Sequence, residues 1–293
     1  MGPIDDTEAA QSPIYTLHYS PYSLYSLMTR LSFVLGRRVS PETAPRLELQ
    51  LIDLHHDDNF SEDYLTKVTP KGQVPVLTST ALEAPLDDSR DIAKWLCAKQ
   101  PRLLPQEHRE VIESLMDKIY AFHATALLVA SEDRKDDFKE SLPNKAAAML
   151  ERSDLSEGHR RALEIKSVLA DALDSVGIWD SHDTYYSRIL EPEQIEGAEQ
   201  QVRELMGDLD AILNRHQGQG KTWIFGDEPT ILDAHATVLA SRLAESKRFD
   251  MVSEPVRTYA DRVRATQDWN EVTQGRPTLW DMSRGHVADL DHL

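Results

Sequence analysis

Three short stretches of this chain hold residues whose types and spacing could do chemistry. The first is Lys71-Gly72-Gln73-Val74-Pro75-Val76-Leu77. A proline ahead of Val76 and Leu77 donates no ladder hydrogen bond, and Val74 before it is pushed towards an extended conformation. An extended residue with its N–H and C=O unused can pair with a peptide ligand as if adding a strand. The same pattern also fits a proline that merely starts an edge strand. The second stretch is Asp88-Ser89, which opens a helix-like run containing Ile92, Trp95 and Leu96. The third is Ser20-Pro21-Tyr22-Ser23, at the end of an apolar run and the start of a helical one. Either serine there could simply cap the helix.

The elements that must position these residues are legible in the periodicity. Residues 14–19 read as a strand. Leu24, Leu27, Met28, Leu31, Val34 and Leu35 keep helical spacing, with Gly36 as the expected stop. Residues 47–54 alternate as a second strand, so a βαβ unit is expected. A short helix or irregular segment covers 59–68. An antiparallel hairpin joins 75–78 to 82–86, with Ala84-Pro85-Leu86-Asp87 as an irregular edge, and a helix spans 88–99. Pro101 and Pro105 mark a linker. Beyond it five helical runs begin near Val111, Leu163, Val202, Ile231 and Val256, so residues 106–293 should be all-α. Residues 131–160 are charge-rich and read as a solvated insertion or an extended helical hairpin.

Composition limits the partners. The 293 residues can bury a sizeable core, and the net charge of -18, from 50 acidic and 32 basic side chains, argues against nucleic acid and anionic membranes. No apolar run is long enough to span a bilayer, and the polar, acidic start does not read as a secretory leader, so a soluble cytoplasmic protein is expected. The single cysteine, Cys97, allows no internal disulfide and reads as a small buried residue. Neighbours in a loop such as His55-His56-Asp57-Asp58 rarely converge on one ion, and no metal is expected.

Together these motifs resemble a cytosolic glutathione S-transferase. Residues 69–77 look like that family's segment ending in a cis-proline, and Asp88-Ser89 looks like the acidic-Ser pair opening its third helix. Gly226-Asp227-Glu228-Pro229-Thr230-Ile231-Leu232-Asp233 looks like its folding signature, a capping box between Thr230 and Asp233. The resemblance implies an α/β thioredoxin-like domain over 12–100, an all-helical domain over 106–293 enlarged at about 131–195, and homodimers. The enlargement is similar to that of fungal members, some of which act in secondary metabolism.

The resemblance also implies glutathione as co-substrate and a residue-by-residue site. Ser20-Pro21-Tyr22-Ser23 keeps the register of omega-like members, with Ser in both cysteine positions. Ser20 or, as the alternative, Ser23 would stabilise the thiolate, and Tyr15 or Tyr19 stays open. With no cysteine at position 20, a mixed disulfide with glutathione cannot form. Val74 would pair with the cysteinyl part, held by Pro75. Asp88 would take the γ-glutamyl ammonium, and Ser89 with the helix N-terminus its carboxylate. Gln73 and Lys71 would reach the glycyl end. His55, His56 and Lys67 are further basic candidates there, and none matches the family cleanly. Tyr22, Tyr120 and His123 would line a pocket for an apolar small-molecule electrophile. Three activities fit: transfer to that electrophile, glutathione-dependent cis-trans isomerisation, and a non-catalytic binding protein that keeps the fold.

Overall fold

The computed structural model describes residues 12–122, 124–128, 145–174, 191–215 and 221–279. The N-terminal region is a thioredoxin-like unit. Strand β1 (Ile14–Tyr19) lies in the middle of a three-stranded sheet. Strand β2 (Arg46–Leu51) runs parallel to it and β3 (Val76–Thr78) antiparallel, with His18 opposite Val76. The β-branched and aromatic residues of β1 suit a pleated surface. Tyr15, Leu17 and Tyr19 are buried beneath helices α1 (Leu24–Val39) and α2 (Ser89–Lys99), and Tyr15 packs on Trp95 of α2 with ring centres 4.7 Å apart.

Three local expectations are revised. Helix α1 runs past Gly36 to Val39; that glycine serves packing, because a Cβ there would sit 2.0 Å from Oε1 of the buried Gln100. Strand β2 stops at Leu51, because Asp53 captures the N–H groups of His55 (2.8 Å) and His56 (3.3 Å) and turns the chain. The hairpin's second strand reduces to one bridge, Leu77 with Leu86, since Pro85 has no N–H with which to extend a ladder.

The remainder is helical: α3 (Arg109–Ala121), α4 (Ala124–Leu128), α5 (Lys145–Leu150), α6 (Glu157–Asp174), α7 (Pro192–Arg215), α8 (Ile231–Glu245), α9 (Glu254–Arg264) and α10 (Gln267–Thr273). Helix α8 is buried from Ile231 to Leu243 on every face, as expected of a helix apolar all round. It packs on α1, α3 and α9 and so joins the two regions into one core.

Helix α8 begins in the expected capping box. Asp233 Oδ2 accepts from the Thr230 N–H (2.7 Å) and hydroxyl (2.8 Å). Its Oδ1 accepts from the Ile224 N–H (2.9 Å) and the Tyr259 hydroxyl (2.5 Å). Burial pushes this carboxyl above the usual carboxylate range, and those donors oppose the shift.

Where it is described, the insertion is a helical hairpin that keeps Glu151, Arg152, Asp154 and Glu157 exposed and docks its apolar face. Helices α5 and α6 pack on each other and on residues 57–72 of the thioredoxin-like unit. Ala146, Ala162 and Leu163 form a second apolar cluster with Phe60 and Leu65. Lys145 Nζ reaches Asp57 Oδ1 (2.5 Å), and the Ser156 hydroxyl donates to Glu62 Oε2 (2.7 Å). The His159 ring bonds the Phe60 carbonyl (2.7 Å). Residues 131–144 and 175–190 of the expected insertion lie outside the described residues.

Replacing Asp233 with alanine strips four buried donors of their acceptor. We expect the free energy of unfolding to fall by about 3 kcal/mol in chemical denaturation. A loss well under 1 kcal/mol would show that the box is dispensable.

Candidate active site

The Val74-Pro75 bond is cis. The three carbonyls leading to it are each taken by a side chain: Lys71 by Lys166 Nζ (2.5 Å), Gly72 by Asn59 Nδ2 (2.8 Å) and Gln73 by the Tyr64 hydroxyl (2.6 Å). Gly72 is in the left-handed region (φ 58°), and a Cβ there would meet the Asn59 carbonyl at 2.8 Å. Among the described residues no backbone partner takes the Val74 N–H or C=O.

Register places the other groups around this edge. Continuing the His18–Val76 pairing by two residues sets Ser20 across from Val74. Continuing the Leu77–Leu86 bridge by two residues sets Asp88 across from Pro75. Hydroxyl, peptide edge and acidic cap thus converge at one end of the sheet, at the N-termini of α1 and α2.

Ser20 is buried, and its N–H donates to the Ser26 hydroxyl at 3.3 Å. Ser23 is the N-cap of α1, its hydroxyl accepting from the Ser26 N–H at 3.3 Å. Tyr15 and Tyr19 face the core; Tyr19 stacks against the Arg30 guanidinium at 4.6 Å. Asp88 caps α2 through the Arg90 N–H (2.7 Å). Lys71 is paired with Asp87 (2.9 Å), whose charge offsets its own. His56 pairs with Asp53 (2.7 Å), and among the described residues no cluster of His, Cys, Asp and Glu could hold a metal.

Tyr120 belongs to a hydrogen-bonded pair in the helical core: its hydroxyl lies 2.9 Å from His235 Nε2, while His235 Nδ1 lies 2.9 Å from the Ile231 carbonyl. A ring whose Nδ1–H donates to a carbonyl offers Nε2 as acceptor, so Tyr120 donates to His235. Burial drives the His235 ring down to about 4 and pushes the Tyr120 phenol upward.

Tyr120 is therefore tied into this network, Tyr22 is largely buried, and His123 lies outside the described residues. A cavity of about 550 Å³ lies between α2 and α3 and is lined by Ala93, Cys97, Ile112 and Met116, but by neither Tyr22 nor Tyr120. Cys97 beside it is buried, its thiol pushed up to about 12.

Three residues escaped the sequence reading. Tyr25 stacks on Tyr120 with ring centres 5.9 Å apart, and burial together with the Asp88 charge pushes its phenol up to about 12. Its place two residues after the cap was the available signal. His235 and Arg242 sit inside an otherwise apolar helix, which marks them as buried polar groups in need of partners. Arg242 donates to the Tyr22 carbonyl (2.7 Å), inside the turn between Ser20 and Ser23, and to the Thr278 hydroxyl (3.1 Å).

With this geometry in hand, comparison with known proteins is informative. Residues 43–107 match the family model described as the glutathione S-transferase N-terminal domain. No curated protein matches. A glutathione transferase family member from Pseudomonas fluorescens pf-5, crystallised with two glutathione bound, is 16% identical over 88% of this chain and 92% of its own, with a TM-score of 0.51. A glutathione transferase homolog from Sulfitobacter with bound glutathione is 14% identical over 89% of this chain and 97% of its own, also at 0.51. The fold is that of the glutathione transferases, thioredoxin-like then all-helical.

Two outcomes are expected. Arg242→Met should loosen the turn, seen as faster amide exchange at Ser23 and Leu24; unchanged exchange would mean that the turn holds itself. For His235, the folded pKa lies below the unfolded one. The neutral ring's contribution is complete above about pH 6.5 and is lost as pH falls towards 4. Stability should drop by up to about 3 kcal/mol across that window, and His235→Gln should flatten the dependence in denaturation curves taken at several pH values.

Proposed function

We propose that this protein binds glutathione and activates its thiol for addition to an apolar electrophile. The observation that carries this reading is the pairing of His18 with Val76 and of Leu77 with Leu86 next to the cis Val74-Pro75 bond, which, continued by two residues, would bring Ser20 and Asp88 to that edge. A cysteinyl residue pairing with the Val74 backbone would hold its sulfur towards Ser20 and the positive end of α1. A free thiol has a pKa near 8.5, so only a few per cent is ionised at neutral pH. A hydroxyl donating to sulfur and the helix N-terminus both favour the thiolate. Ser20 is taken as the activating group because the continued register brings it to Val74, with Ser23, the cap of α1, as the alternative. The γ-glutamyl ammonium pairs with Asp88, and its carboxylate meets the N-terminus of α2. Position 20 offers no thiol, so the chemistry is addition by the glutathione sulfur rather than disulfide exchange.

Calorimetric titration with glutathione, followed by rates with a model electrophile, tests this. Asp88→Ala should abolish saturable binding. Ser20→Ala should leave binding in place and cut the rate by about tenfold or more. An unchanged rate in Ser20→Ala would move the role to Ser23. Absence of binding by the unaltered protein would leave a fold retained for another purpose.

A further inference from the structure

The thioredoxin-like unit offers a poor partner for the far end of a peptide lying along Val74. Lys71, the nearest basic side chain in that stretch, is already paired with Asp87 at 2.9 Å. The cation that does reach this place comes from the insertion. Lys166 of α6 places Nζ 2.5 Å from the Lys71 carbonyl and 4.8 Å from the centre of the Phe60 ring. The same nitrogen would lie 2.9 Å from a Cβ at Gly72, two residues before Val74.

Lys166 has no carboxylate partner among the described residues. An ammonium carries three donors, so a carbonyl and a ring face leave it able to receive an anion. Burial pushes it down to about 8, as expected where no negative charge offsets desolvation. Its position does not depend on that missing partner. Helix α6 is docked independently by Ala162 and Leu163 against Phe60 and Leu65, by the His159 ring on the Phe60 carbonyl and by Ser156 on Glu62.

Direction then assigns the anion. A peptide pairing antiparallel with Val74 runs its amino end towards Pro75 and Asp88. Its carboxyl end runs towards Gln73 and Gly72, where the Lys166 ammonium stands. We propose that Lys166 binds the C-terminal, glycyl carboxylate of glutathione, so that the inserted helices rather than the thioredoxin-like unit read the third residue of the ligand. This rests on the proposed use of glutathione.

The test compares glutathione with its glycyl monoethyl ester, which lacks that charge, on the unaltered protein, Lys166→Met and Lys166→Arg. We expect Lys166→Met to weaken glutathione about tenfold or more, as for loss of a charge-assisted hydrogen bond. The ester should bind the unaltered protein with a similar loss and show at most about a twofold further change on Lys166→Met. Lys166→Arg should restore most of the glutathione affinity. Equal weakening of both ligands by Lys166→Met would reduce the lysine to a packing role and overturn the inference. So would glutathione and ester binding alike to the unaltered protein, and either result leaves the glutathione reading intact. Failure of the unaltered protein to bind either ligand would instead overturn that reading, and this inference with it.

Discussion

The rest of the site depends on how the backbone of residues 71–73 is satisfied. A buried carbonyl must find a donor, and in a sheet the donor is usually a neighbouring strand. Here three successive carbonyls are satisfied by side chains instead, from Lys166, Asn59 and Tyr64. The segment is held rigidly with no strand beside it, and the edge at Val74 is left facing outward. Gly72 makes this feasible, because its backbone conformation and the nearby Asn59 carbonyl leave no room for a Cβ. An outside peptide therefore meets a template already in place and incurs little ordering cost on the protein's side.

A second constraint works from the helical side. Helix α8 holds Asp233 at its start, His235 two residues on and Arg242 near its end, each directed at a different part of the structure. Asp233 fixes the helix against the 223–230 loop and Tyr259. His235 accepts the Tyr120 hydroxyl and so ties α8 to α3. Arg242 holds the turn between Ser20 and Ser23. The turn into α1 and the helix α3 are thus both referenced to one buried helix.

Much of this was legible in the sequence where signals are local and dense. Strand β1, helix α2 and the Thr230–Asp233 box emerge from runs whose side-chain pattern and cap chemistry lie within a few residues of one another. What failed was set by distant or single-atom facts. Gly36 looked like a helix stop, but its partner Gln100 is remote in sequence. Pro85 prevented a fourth strand that the apolar pattern suggested. The charges of residues 151–157 are exposed as the sequence suggested, whereas the docking of Lys145, Ser156 and His159 on Asp57, Glu62 and Phe60 was hidden because those partners lie far upstream. For the site, residue types and order named the Val74 edge and the Asp88 cap, whereas Tyr25, His235 and Arg242 required knowing which helix lies against which.

The docking of α5 and α6 also bears on how such a chain could gain or lose length. Phe60 and Leu65 are covered only because Ala146, Ala162 and Leu163 lie on them. Excising the insertion to reach a shorter chain would bare this apolar pair beside a sheet edge, a combination that promotes self-association. Helices α5 and α6 thus act as cover for the domain they adjoin, and a version without them would need polar substitutions at positions 60 and 65 to stay dispersed.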